Sequence, residues 1–245
     1  MVDSAITPAK NDSPRRMALT PELVARCLRE EPNPGPNPDF TPLEDAERLA
    51  IAQDLLASAP PGPIWVFAYG SLIWSPGFEV AEFRRASANG WHRAFCIEQT
   101  RWRGTPELPG LMLALMPGGR CNALIVRLPE AKKAEIVHQL VKREINVQED
   151  LGMARWIKVS TADGPLQVLV FWAGPKGQGI LKGLPLQDVA WRLAHACGHY
   201  GSSAEYLYQT VAKLEEYGVQ DSNLWRLQQM VAIEIESWSA DSGPP

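Results

Sequence analysis

A chain of 245 residues with a formal charge of −4 is long enough to bury a large core and carries no basic footprint for nucleic acid. At 45% hydrophobic and 21% charged residues it has the make-up of a folded globular protein, which excludes disorder for most of its length. These figures favour a small neutral or zwitterionic ligand over a polyanion.

Four cysteines (Cys27, Cys96, Cys121, Cys197) form no CxxC pair and are expected as free thiols in a reducing compartment. The amino terminus has no apolar leader and the chain has no apolar run long enough to span a bilayer, so a cytoplasmic protein without a membrane partner is expected.

In chain order, residues 1–16 are polar and expected to be mobile. Leu19–Glu30 has helical spacing, with Leu23, Val24, Cys27 and Leu28 on one face. A proline-rich interruption follows. Thr41 is the expected cap of a second helix, with Pro42 at its first position and Glu44 three residues on, running to about Ala59. Residues 1–60 are expected to form a helical extension on a main domain of residues 61–239, with a tail at 240–245.

From residue 61 the runs Trp65–Tyr69, Ala88–Glu98, Leu111–Met116, Cys121–Leu128, Trp156–Ser160 and Leu166–Trp172 read as strands punctuated by Gly, Pro and Asp. One helix, Pro129 to about Val147, interrupts them. The Gly-rich run Gly174–Gly179 lacks the GK[ST] ending of a phosphate loop and is expected as a loop over or beside a site. Pro185–His195, Ser203–Tyr217 and Asn223–Trp238 then read as helices, with Gly218 closing the middle one. Strands followed by helices give an α+β domain, a sheet or small barrel with helices covering one side.

Three places could carry chemistry. At Tyr69-Gly70-Ser71 a strand stops abruptly, and Gly70 tolerates a positive φ or a close backbone approach; the N–H groups there could cradle a carboxylate, although a plain turn would look the same. Glu144, four residues beyond Leu140, either turns inward as a raised-pKa general base or pairs on the surface with Arg143. Arg103, in RWRGTPELPG, and Arg93, in GWHRAF, present forks suited to a carboxylate, with a structural salt bridge as the plainer alternative. His195 and His199 would share a helix face as metal ligands often do, but no third ligand is evident and no metal is expected.

In register, YGSLIW (69–74), GWHRAF (90–95), RGTPELPG (103–110), GGRC (118–121), the helix ending in RE (143–144) and the distal SSAEYLYQT resemble the ChaC family of γ-glutamylcyclotransferases specific for glutathione. The resemblance covers about residues 64–235. It implies a small mixed β-barrel flanked by helices, with no cofactor, that cleaves glutathione into 5-oxoproline and Cys-Gly. It also implies that Tyr69, Gly70, Ser71 and Leu72 form the substrate-binding loop and that Glu144 is the catalytic glutamate.

Ile145-Asn146 after the glutamate and Asn122 after Cys121 depart from the family's pattern and would alter pocket shape and hence substrate preference; Glu98-Gln99-Thr100 replaces a stretch that often carries Ser, so no role is carried over to that position. A cyclotransferase for other γ-glutamyl compounds and a non-catalytic binding or cation-transport regulatory protein are the rival functions. The oligomeric state is not legible.

Overall fold

The computed structural model describes residues 10–175 and 179–238. Residues 176–178 of the expected Gly-rich loop, residues 1–9 of the expected mobile terminus and the expected tail lie outside the described residues. The elements in chain order are α1 (Pro21–Arg26), α2 (Asp45–Ala57), β1 (Trp65–Ala68), β2 (Glu82–Gln99), β3 (Gly110–Arg127), α3 (Lys133–Glu144), β4 (Ala154–Thr161), β5 (Gly164–Phe171), α4 (Leu186–His195), β6 (Cys197–Gly198), β7 (Gly201–Ser202), α5 (Ser203–Glu216) and α6 (Ser222–Glu236). The expected α+β mixture with a small barrel is present. The described chain divides into two compact units, one of residues 36–93 and 115–175, the other of residues 10–35, 94–114 and 179–238.

The first unit is built on a closed barrel of strand order β1-β3-β2-β4-β5. β1 runs antiparallel to β3 (Trp65 opposite Arg127) and parallel to β5 (Val66 opposite Leu169). β4 pairs antiparallel with both β5 and β2. Period-two alternation sends Trp65 and Phe67, Ile157 and Val159, and Val168 and Val170 into the barrel. They meet the small Ala86, Ala88 and Ala123, so bulky and short side chains share a narrow interior. Truncating Phe67, 1% exposed, to alanine would cost about 3–5 kcal/mol.

Two local readings are corrected within this unit. The second helix starts at Asp45, not near Thr41. Residues 41–43 instead bond to 146–148: Leu43 N donates to Asn146 O (3.0 Å) and Gln148 N to Thr41 O (2.8 Å). The Glu47 carboxylate then accepts from Glu44 N (2.7 Å), so the box is shifted three residues on. Leu49 of this helix is exposed, whereas Ala52 is buried. The two runs Leu111–Met116 and Cys121–Leu128 are a single strand, because Gly118 and Gly119 carry the chain through with positive φ instead of ending it.

The second unit is helical. α5 is capped by Ser202, whose Oγ accepts from Glu205 N (3.1 Å), and α6 by Asp221, whose Oδ1 accepts from Leu224 N (3.0 Å). Gly218, φ +63, ends α5, and Val219 N returns to Leu214 O (2.8 Å). Val189 and Leu193, Leu207 and Val211, and Leu227 and Val231 are buried as 3.6-residue spacing requires.

Residues 10–35 belong to this unit. Leu19 N donates to the buried Gln228 Oε1 (2.8 Å), and Arg15 bonds Glu215 with its guanidinium over the Trp225 ring (3.7 Å). The helix expected over Leu19–Glu30 is only the six residues Pro21–Arg26, its start set by Pro21 after Thr20.

Candidate active site

β1 ends at Ala68 because Tyr69-Gly70 leads into a single 3-10 turn, Ser71–Ile73, in which Ile73 N donates to Gly70 O (3.0 Å). Gly70 has φ −141, so the left-handed alternative is not the one used. Ser75 N closes the turn on Ser71 O (2.7 Å). Leu72 is buried, and Tyr69, half-buried, packs its ring on Phe67 (centroids 6.4 Å). The turn is only three residues long, so anything it offers an anion comes from its backbone N–H groups and not from a helix dipole.

Glu144 is the last residue of α3, whose Ile136, Val137, Leu140 and Val141 are buried. Of the alternatives open in the sequence, the pairing with Arg143 is present, on a carboxylate that is only partly buried. The Glu144 side chain is 29% exposed and Arg143 Nε lies 3.2 Å from its Oε1. Burial pushes the Glu144 carboxyl above the usual carboxylate range; Arg143 opposes this and Asp150 adds to it. Asp150 is itself raised by burial, against the N–H groups of Asn146 and Val147 that its Oδ2 accepts (3.0 and 3.3 Å).

Arg143 joins the two halves. Its Nη2 donates to Ser71 Oγ (2.9 Å), and its Nη1 to the carbonyls of Ser75 (2.6 Å) and Pro76 (3.1 Å). One guanidinium therefore spans the turn after β1 and the carboxylate at the end of α3. Sequence reading passed over Arg143 as a mere neighbour of Glu144, and it passed over Asp150. The signal was there: an arginine beside an inward glutamate has a fork with five donors to satisfy.

The two other candidate arginines are placed differently. Arg93, buried in the barrel unit, donates from Nε (3.4 Å) and Nη2 (3.2 Å) to Cys121 Sγ and from Nη2 to Asn122 O. Arg103 lies in the helical unit, where Nη1 donates to Ser202 O (2.7 Å) and Glu205 Oε2 (2.8 Å).

His195 and His199 do not share a helix face, because α4 stops at His195 and Cys197–Gly198 turns into β6. Their Nδ1 atoms sit on different carbonyls, Trp191 O (2.9 Å) and Arg101 O (2.8 Å). Among the described residues no cluster of three His, Cys, Asp or Glu could hold a metal, and no helix is long and apolar enough to cross a membrane.

Comparison with known proteins adds a family and a fold. A family model described as ChaC-like protein matches residues 64–234. A glutathione-specific gamma-glutamylcyclotransferase of Escherichia coli is 36% identical over 180 residues, 73% of this chain and 77% of that protein. Gamma-glutamylcyclotransferase 2-3 of Arabidopsis thaliana is 29% identical, covering 69% of this chain and 88% of the relative. Among solved structures, a yeast gamma-glutamylcyclotransferase specific to glutathione superposes with a TM-score of 0.62 at 21% identity, over 69% of this chain and 95% of the yeast one.

Proposed function

The chain belongs to the ChaC-like family, and from that premise we propose that it is a γ-glutamylcyclotransferase that degrades glutathione, releasing 5-oxoproline and Cys-Gly. The observation that carries this reading is the Arg143 bridge, which holds Ser71 and Glu144 on one guanidinium. A carrier or regulator has no need of a raised glutamate beside an anion-suited turn.

The γ-glutamyl group contains its own nucleophile. Attack of its α-amine nitrogen on its γ-carbonyl carbon closes a five-membered ring and breaks the bond to the cysteinyl nitrogen. The amine is mostly protonated near neutral pH and must first lose a proton. Glu144, with its affinity for a proton raised, takes it and delivers it to the departing nitrogen. No external group is consumed: one C–N bond forms and one breaks, while two protons leave the attacking nitrogen, the first before attack and the second as the ring closes, and two reach the departing nitrogen, which leaves as the ammonium of Cys-Gly.

The backbone around Gly70 to Leu72 holds the α-carboxylate, and Tyr69 forms a wall. Folding the chain into attack geometry supplies several kcal/mol of the acceleration. Arg93, in the same unit as the turn and Glu144, enters as a substrate-binding candidate whose existing bonds keep it ordered. The four buried thiols fit work in the cytoplasm, where thiols remain reduced.

The test is 5-oxoproline release from glutathione and from γ-glutamyl-alanine. Release from glutathione alone supports the reading; release only from γ-glutamyl-alanine sinks the glutathione assignment, and none from either sinks the enzyme.

A further inference from the structure

We propose that Arg155, held against Trp91 and Trp172 at the end of the barrel where β1 and β5 finish, binds the carboxylate at the far end of the substrate. This rests on the cyclotransferase reading for the identity of that substrate, the tripeptide glutathione, whose second carboxylate lies on its glycine.

The placement follows from strand register. On β4, Ile157 and Val159 point into the barrel, and Arg155 is two residues earlier on the same face. It is nevertheless exposed, so it stands at the barrel's mouth. On β5 the inward residues are Val168 and Val170, and Trp172 is next in that series, just past the strand end. On β1, Trp65 and Phe67 lead in the same way to Tyr69.

β1 and β5 are parallel with Val66 opposite Leu169, so three steps along each brings Tyr69 level with Trp172. Arg155 lies opposite Val170 on the next strand. Tyr69, Trp172 and Arg155 thus share one rim. Trp91 completes the group, edge-on to Trp172 with centroids 5.5 Å apart.

The rim is built to hold a cation in place. The Arg155 guanidinium carbon lies 5.6 Å from the Trp91 ring and 5.7 Å from Trp172. Trp172 is fixed in turn, its Nε1 donating to Gly152 O (3.0 Å). Cation–π contact with the two edge-on indoles uses none of the guanidinium N–H donors, so its fork can receive a carboxylate. Among the described residues no carboxylate pairs with Arg155, in a chain that has 28 acidic residues against 24 lysines and arginines.

Length agrees as well. Tyr69 and Arg155 belong to strands separated by β5, two strand spacings or roughly 10 Å. A tripeptide reaches about the same distance when extended. With its γ-glutamyl end beside the Ser71 turn, the glycine carboxylate falls within reach of Arg155.

The experiment compares glutathione with its C-terminal glycinamide, which lacks only the second carboxylate. Affinities are measured by titration calorimetry in the Glu144→Gln background, where turnover is suppressed, with and without Arg155→Gln. Arg155→Gln should weaken glutathione about tenfold or more and the glycinamide less than threefold. Arg155→Lys, which keeps the charge without the fork, should fall between.

Equal penalties on both ligands, no penalty on either, or a parent that binds neither overturns the proposal. Release of 5-oxoproline by the native chain is scored separately. Selective penalties without release would sink the cyclotransferase reading and leave the subsite, while release with equal penalties would do the reverse.

Discussion

Glu144 sits where a negative charge is unwelcome: partly buried, at the C-terminal end of a helix whose dipole is negative there, and close to Asp150. Its folded-state proton affinity is above that of the unfolded chain. The stability it contributes is therefore complete below the ordinary glutamate range and lost as pH rises through the raised value. Glu144→Gln should then raise the melting temperature at pH 8, with the gain vanishing in acid, while turnover falls roughly 100-fold or more. A variant releasing 5-oxoproline at near-native rate would remove Glu144 from the mechanism.

Arg143 acts through Glu144 and Ser71, as a positioning residue. Removing its charge in Arg143→Met lets the Glu144 carboxyl rise further, because the arginine is what opposes burial. The acid limb of the kcat/KM profile should move to higher pH and the plateau drop about tenfold. Arg143→Lys should recover the limb better than the plateau, since the charge returns but the bonds to Ser71, Ser75 and Pro76 do not. An unshifted limb in Arg143→Met would reduce the bridge to scaffolding.

At the scale of elements, regular local patterns were legible. The Trp65–Tyr69 strand, the helix that carries Glu144 and the three late helices could be read because burial follows a period of two or 3.6 residues. What escaped depended on partners distant in the chain. Thr41 and Pro42 look like a helix start until 146–148 supplies a ladder for them. Gly118-Gly119 looks like a break until its strand is paired on both sides of it. Arg155 drew no notice in the sequence, because its place on the rim exists only once β4, β5 and β1 are in register. The site was legible as separate pieces, Tyr69–Leu72 and Glu144, but not the guanidinium that joins them.

RGTPELPG has an architectural reason of its own. A methyl added at Gly104 would overlap the Gly110 amide and the Gln99 carbonyl, and one at Gly198 would press on the Gly104 backbone (2.8 Å). These glycines let three stretches of main chain meet within the helical unit, with Ser203 Oγ donating to Arg103 O (2.8 Å). Gly104→Ala should cost about 3 kcal/mol, read as a lower urea midpoint, with little effect on the pH profile set in the other unit. An unchanged midpoint would mean the backbone yields easily there.

Over the whole molecule, the four cysteines are buried. Burial pushes the Cys27 thiol up to about 12 and Cys96 up to about 11, so little thiolate exists at physiological pH for these two. A thiol reagent such as Ellman's should label the native chain slowly at pH 8 and all four sites at once in denaturant. Fast labelling without denaturant would mean that one of the sites opens locally.

The interleaving of the two units bears on how the chain is made. It passes between them after residues 35, 93 and 114 and again before 179, so no single cut releases either one whole. During synthesis the barrel's last strand, β5, is complete at Phe171, before any of α4 to α6 exists. Residues 10–35 and 94–114, which belong with those helices, must wait through the closing of the barrel with their apolar groups unsatisfied. A translating ribosome therefore carries, for some sixty residues of further growth, a half-finished molecule whose exposed Leu19, Phe95 and Leu111 are natural chaperone targets.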